Sequence, residues 1–372
     1  MRIRPFLLAV LLAAPLSAQA IAPGPKSMAM GGTFAAVADD ASSLWGNPAG
    51  LADCKLGCFS AFAGGIATDE NEFANRLNDD FRGVDFADFA QGRNLDRIPR
   101  LVSDLHRFET PGTGTIASGA GGVAYAIRGF GIGIGETAYA GVYPTIDLVH
   151  VNPDDFQQNA TRATFRGFQG RELRIGYAWN LYGDILVVGL ATRYIQGRTY
   201  FDERSILQAA DDPVGISREA IRHNEKRTSR VAFDAGAIFR PVHQLRIGLV
   251  AQSLNEPSFR VSDGSRIELG RILRLGAAFS PLTYEGIVIT ADADLNKQKT
   301  LVPGLRSQRI AAGAQIYWFR LGVYRDLEAV DPHFAYTAGV HVGNKLISLG
   351  LAGVYAPGKK DAGAAVDLRI KL

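Results

Sequence analysis

The chain has 372 residues, 47% of them hydrophobic and 21% charged, with 40 Lys+Arg against 37 Asp+Glu. A net charge of +3 leaves no basic field for nucleic acid, the apolar content excludes a mostly disordered chain, and the charge content excludes a helical membrane protein. Two cysteines make no disulfide framework or four-thiolate metal site, whereas 42 glycines, about 11% against a usual ~7%, call for backbone freedom or small side chains in bulk.

Taken in chain order, Arg2 and Arg4, the apolar run from Phe6 to Leu16 and the triplet Ala18-Gln19-Ala20 have the parts of a secretory signal peptide, residues 1–20. The apolar run is shorter than the ~18–20 residues of a spanning helix. Residues 21–55 do not alternate. They hold Met30-Gly31-Gly32, Asp39-Asp40, Trp45 and Asn47-Pro48-Ala49; paired glycines permit close packing, Pro48 pushes Asn47 out of helical geometry, and Asp39 or Asp40 suits the cap of a short helical turn. Cys54 and Cys58, four apart, are too distant to bridge in a strand and close enough in a turn, which leaves a local disulfide open.

From residue 56 onward the pattern has period two. At the end of the chain Val366, Leu368, Ile370 and Leu372 alternate with Asp367, Arg369 and Lys371, and Leu173, Ile175, Tyr177 and Trp179 alternate with Glu172, Arg174, Gly176 and Ala178. Strands are predicted near 56–66, 116–127, 130–143, 171–180, 185–200, 229–239, 245–254, 271–279, 287–295, 309–317, 319–325, 334–342, 346–355 and 364–372. That makes about fourteen, each near the ~9–11 residues that cross an outer membrane at a tilt.

Connections alternate between long or intermediate polar loops and short turns such as Arg128-Gly129 and Leu181–Asp184. Short turns on one rim and long loops on the other describe a bacterial outer-membrane barrel with both termini periplasmic. The expected architecture is therefore all-β: a transmembrane antiparallel barrel over 56–372, with residues 21–55 as a plug in its lumen. The outer membrane's own lipid would then surround it. Trp179, Tyr182, Tyr194, Tyr200, Phe239, Trp318, Phe319 and Tyr355 fall at strand ends, where interfacial girdles lie. The insert at 69–108 carries Phe73, Leu77, Phe81, Leu95, Ile98, Leu101, Val102 and Leu105 at helical spacing, so two amphipathic helices are expected over the pore mouth or on its rim.

The inferred lumen face carries Glu172, Arg174, Arg193, Arg230, Asp234, Arg246, Arg274, Asp292 and Asp294, followed by Arg309, Arg320, Asp367 and Arg369. Facing lipid, an Arg or Lys would cost about 2–4 kcal/mol at mid-depth. Such charges serve either as a self-neutralising lining or as a polar conduit. One strand breaks parity: after Gly131, Gly133 and Gly135, Glu136 falls on the outward side set by Phe130, Ile132 and Ile134, so a kink or bulge is expected there. The six His are scattered, and neither G-x-S-x-G nor H-E-x-x-H occurs, so no enzyme, metal or cofactor is expected.

The run Gly31–Ala52, GGTFAAVADDASSLWGNPAGLA, resembles the N-terminal signature of the FadL-type outer-membrane transporter superfamily, with Asn47-Pro48-Ala49 as its most characteristic tripeptide. Phe233–Phe259, Ala291–Lys297 and the helical insert resemble a branch of it, the TraF-like barrels named after plasmid-transfer operons. The resemblance implies a hatch inside a fourteen-stranded barrel and a side door at the kinked third strand, here Gly133, Gly135 and Glu136. It also implies passive transport of a small hydrophobic molecule, gated by residues 21–55. The alternative is a non-conducting envelope component of a conjugal-transfer or export assembly, with envelope proteins as partners.

Overall fold

The computed structural model describes residues 24–371 except 85–87, 89–90, 92, 152–157, 213–214, 224, 282–285 and 345. The export signal expected at 1–20 lies outside the described residues. Fourteen antiparallel strands, each bonded to its neighbour in sequence, close into a barrel. They are β1 (Cys58–Glu70), β2 (Gly114–Ile127), β3 (Phe130–Thr145), β4 (Arg162–Leu181), β5 (Leu186–Ser205), β6 (Lys226–Val242) and β7 (Leu245–Gln252). The second half comprises β8 (Ile272–Phe279), β9 (Ile287–Asp294), β10 (Arg309–Ile316), β11 (Phe319–Asp326), β12 (Phe334–Gly343), β13 (Ile347–Tyr355) and β14 (Asp361–Lys371). Closure comes from β1 against β14, with Cys58 opposite Lys371 and Thr68 opposite Asp361.

Alternation sets which side chains face out. Ile134, Leu173, Ile175, Leu249, Ile289, Leu321, Leu349 and Leu351 are exposed, whereas Arg174, Asp234, Arg274, Asp292 and Asp367 are buried. An apolar belt of this extent would be an aggregation surface in water; around a closed sheet with no free edge it is the lipid-facing surface. Arg128 and Gly129 both take positive φ, as a two-residue hairpin turn requires.

The strands come in two sizes. From β2 to β6 they run 14 to 20 residues, and from β7 to β11 only 8 each. β4 starts at Arg162 rather than near 171, and β5 continues to Ser205, so the loop between β3 and β4 is shorter than the sequence suggested. The added length rises above the lipid belt, where helices cover its outward side. These are α2 (Phe73–Arg76), which runs on into a π turn at Leu77–Phe81, then α3 (Ile98–Phe108), α4 (Ile206–Asp211) and α5 (Gly215–His223); α1 (Gly24–Ala29) opens the plug.

Phe73, Leu77, Phe81, Leu101, Leu105 and Phe108 bury one core with Ile206 and Ala209, against Ala140 and Val142 of β3, Ala163 and Phe165 of β4 and Tyr200 of β5. Those strand residues share the outward parity of Ile134, Leu173 and Tyr194. The insert therefore packs against the outside of the raised wall and does not cover the pore mouth. Tyr200, expected in an aromatic girdle, is buried beneath it. The mouth is filled instead by the hairpin Ser258–Arg260 and Arg266–Glu268, whose Phe259 and Ile267 bury against Phe168 and Ile195 on the inner face.

Candidate functional site

Residues 24–55 thread the lumen as α1 and two 3-10 turns, Ala41–Trp45 and Pro48–Asp53. Each turn is capped as its sequence dictates: Asp40 accepts from Ser42 N–H, and Asn47 accepts from Ala49 N–H with Pro48 at the first position. The second turn brings Cys54 to 5.5 Å from Cys58 between Cα atoms, and the two are disulfide-bonded.

The segment lies on a belt of inward-facing glycines contributed by successive strands. A Cβ at Gly339 (β12) would press on Ala29, at Gly313 (β10) on Met30 and at Gly322 (β11) on Gly31. Continuing round, Gly276 (β8) and Gly248 (β7) face Ala35, Gly236 (β6) faces Asn47, and Gly189 (β5) faces Pro48 and Ala49. Gly176 (β4) faces Leu44 and Gly131 (β3) faces Leu51, while Gly122 (β2), Gly133 and Gly135 (β3) make a flat bed for the Trp45 ring. Here the use of the glycine excess becomes visible: with no side chain on the wall, plug backbone and wall backbone come into contact.

Polar groups fasten the plug in the same circuit. Arg174 donates to Leu44 O at 2.8 Å, Gln252 to Trp45 O and Gly46 O at 2.8 and 2.9 Å, and Asn47 to Ala237 O at 3.3 Å. Arg274 donates to Gly32 O at 3.1 Å, Asp292 accepts from Phe34 and Ala35 N–H at 2.7 and 2.9 Å, and Thr337 donates to Ala29 O while accepting from Gly31 N–H. Within the plug, burial opposes ionisation of Asp39, but the Lys26 ammonium 2.6 Å away holds its carboxyl below the usual range.

The predicted lining charges fall into separate groups. Glu172, Arg174, Arg193 and Asp234 form a buried four-charge cluster, with Arg174 to Glu172 at 2.5 Å and Arg193 to Asp234 at 2.9 Å. Arg274 pairs with Asp294 at 2.7 Å, beside Asp292. Arg246 lies at the inner rim near Asp53, 3.6 Å away. Arg230 shares the inward parity of Asp234 but lies nearer the outer end of β6, exposed and donating to Ser258 O of the mouth hairpin at 3.1 Å.

The third strand is not kinked. β3 pairs without interruption from Ile127↔Phe130 to Thr115↔Val142 on one edge and from Phe130↔Tyr177 to Thr145↔Arg162 on the other, so no bulge or gap opens at Gly133, Gly135 or Glu136. The parity break needs none, because the lipid belt ends at that level. Glu136 lies opposite Arg171, their charged groups 3.6 Å apart, and accepts a hydrogen bond from Gln169.

Above the plug is a chamber of about 370 Å³. Its floor is Trp45, stacked by the Arg174 guanidinium 4.9 Å from the ring centroid; Tyr139 and Ile116 stand on its wall, and Ile267, Leu269 and Leu301 line it from the outer loops. The Trp45 indole N–H is buried without a partner among the described residues. Sequence reasoning missed Gln252, Thr337, Tyr139 and the glycine belt; one Gly at inward parity on strand after strand was the available signal.

Comparison with solved structures places the fold. The Ralstonia pickettii toluene transporter TbuX is similar over 94% of this chain and 98% of its own, with 12% identity and a TM-score of 0.52. A monoaromatic hydrocarbon channel, CymD, is similar over 95% and 97%, with 12% identity and a TM-score of 0.53. For the P. putida toluene transporter TodX the figures are 95% and 99%, 11% and 0.50. No curated protein matches in sequence. Residues 44–294 match the model of the family described as F plasmid transfer operon, TraF, protein; the chain belongs to that TraF family and shares the fold of these solved barrels.

Proposed function

We propose that this protein resides in the outer membrane of a Gram-negative-type bacterium, exported by residues 1–20 and with both termini periplasmic, and passively admits a small hydrophobic molecule. The observation that carries this reading is the chamber between the Trp45 floor and the outer hairpins. Its volume of about 370 Å³ lies within the range of small-molecule sites, and its wall mixes apolar residues with a few convergent polar groups. The neighbours described as toluene transporters and a monoaromatic hydrocarbon channel fit the same solute class.

Inward passage then depends on the plug, residues 21–55, since β3 offers no lateral gap. Leaving the seat locally is cheaper than expelling the whole segment. The Leu44–Gly46 stretch is held by three hydrogen bonds, from Arg174 and Gln252, each with a net value of about 0.5–1.5 kcal/mol. Displacing all of the plug also breaks its bonds to Arg274, Asp292 and Thr337. Gating in this reading is a hinged movement of Trp45 over its glycine bed.

Proteoliposome uptake tests it. The wild type, a Trp45→Ala variant and a chain lacking residues 21–55 are compared for entry of a monoaromatic hydrocarbon and of a small polar solute. Faster entry in the two altered proteins supports the reading; no entry in any of the three ends it. A second reading, a non-conducting component of a conjugal-transfer or export assembly, is favoured by the family's description and by the bonding of the plug on so many strands. Co-purification with envelope proteins, together with failed uptake, would select it.

A further inference from the structure

Beneath the plug, on the side of the short turns, lies a second cavity of about 370 Å³, and its chemistry differs from that of the outer chamber. Lys26, Arg320, His341, Arg369 and Lys371 line it together with Asp39 and Asp40. The acids are engaged. Asp39 holds Lys26 at 2.6 Å, and Arg369 takes both Asp367, at 2.9 Å, and Asp40, at 3.4 Å.

Arg320 is left over. It is 97% buried, at 3% exposure, and its Nε donates to the neutral Gln315 Oε1 at 2.8 Å. Among the described residues no carboxylate lies within ion-pair distance of it; Asp367, Asp39 and Asp40 act on it only from further off. Arg369 Nη2 and His341 Nδ1, both on residues lining the same cavity, are also buried without partners among the described residues. The register brings these groups onto neighbouring strands: Gln315 opposite Arg320, Arg320 opposite Gly339 two residues from His341, and His341 opposite Gly350, itself opposite Asp367.

The contrast with the rest of the lumen is what gives this meaning. Glu172, Arg174, Arg193 and Asp234 neutralise one another, and Arg274 has Asp294. A buried guanidinium with no carboxylate in contact is costly, and its planar fork suits two parallel bonds to an oxyanion. We propose that the inner vestibule is an oxyanion site, in which Arg320 receives a carboxylate or phosphate group and Arg369 Nη2 and His341 supply further donors. The assignment stands independently of the uptake reading, because it concerns only the face below the plug.

Calorimetric titration of the full mature chain in detergent micelles, at constant ionic strength, tests it with inorganic phosphate and with acetate as separate probes. Saturable binding of either anion, weakened about tenfold or more by Arg320→Gln and partly retained by Arg320→Lys, is expected. Phosphate alone, acetate alone or both identify which oxyanion the site accepts. No saturable binding of either, or equal binding by the Gln variant, overturns the proposal. Should the Gln variant fail to fold, wild-type protein with ¹⁵N-labelled arginine decides: a guanidinium resonance assigned to Arg320 that shifts on titration supports the site, and one that stays fixed refutes it.

Discussion

The barrel wall has a tall half and a short half, and the same period-two code is used differently in each. In β7–β11 an outward side chain such as Leu249, Leu275 or Leu321 meets lipid along the whole strand. In β3–β5 outward apolar residues occur in two tiers. Ile134, Leu173 and Tyr194 are exposed, and above them Val142, Phe165 and Tyr200 are buried under helices. Glu136, Arg171 and Gln169 mark the boundary between the tiers. One residue pattern thus solves two problems, a lipid interface and a protein core, and polar residues between them show where one stops and the other starts.

The largest expected effect lies where the tall half meets the plug. Valine at Gly236 would collide with Asn47 Oδ1 and at Gly189 with the Ala49 and Pro48 backbone. Wall and plug both have fixed backbones there, so the cost is at or beyond the upper end of the ~1–3 kcal/mol typical of overpacking. Trypsin added from the periplasmic side is expected to cut the plug of Gly236→Val, and heat-induced unfolding should occur at lower temperature. Gly270→Val, where nothing lies within 4 Å, is the control. Next comes the charge cluster of the tall half. Arg174→Met leaves Glu172 buried with the Thr137 hydroxyl at 2.8 Å and the longer 3.8 Å ion pair to Arg193, at a cost of about 3–5 kcal/mol, and the double variant Glu172→Gln/Arg174→Met should recover part of it.

Much of this was legible in the sequence, and what was not has identifiable causes. Leu368 and Asp367, or Leu173 and Arg174, differ so sharply in polarity that parity alone predicts their faces, and the strands emerge in number and near position. Gly176, Gly189 and Gly236 carry no hydropathy signal, so their shared role appears only when the plug is seen lying on all of them. Asp292 meets the Phe34 amide across 258 residues of chain, a pairing that no local spacing announces. Glu136 breaks the outward rule by parity, but a bulge is a misplaced cause: its strand pairs without interruption, and the outward apolar row ends there. The same misplacement set the start of β4 at 171, because the polar boundary residues Gln169 and Arg171 look like a loop when the second apolar tier is unknown.

The two-tier arrangement predicts separable stabilities. Leu105→Ala and Phe165→Ala each remove a large side chain from the core between the helical cover and the wall, at roughly 2–5 kcal/mol, yet the barrel's own pairing is untouched. Hydrogen exchange should quicken in α3 and α4 while β8–β11 stay protected. Leu321→Ala in the short half removes an exposed lipid-facing side chain and should change exchange in neither region. Uniform loss of protection in the Phe165→Ala protein would show that cover and barrel unfold as one unit.

The smallest effect tests the outer loop of the short half by pH. His333 lies just before β12; its Nε2 is 3.2 Å from Asp361 Oδ2 and its Nδ1 2.9 Å from Asp331 O, so both ring nitrogens face acceptors and the protonated ring satisfies both. The bond to Asp361 raises the His333 pKa above its ordinary 6.5, against the opposing effect of burial. A group whose folded pKa is raised stabilises the fold fully below its unfolded pKa, and that contribution is lost as pH rises through the folded value. Protection of residues 327–333 should therefore be greatest below about pH 6.5 and decline above it, by at most about 1 kcal/mol for so exposed a loop. In His333→Gln the decline should vanish. A pH dependence that survived the substitution would assign the titration to another group.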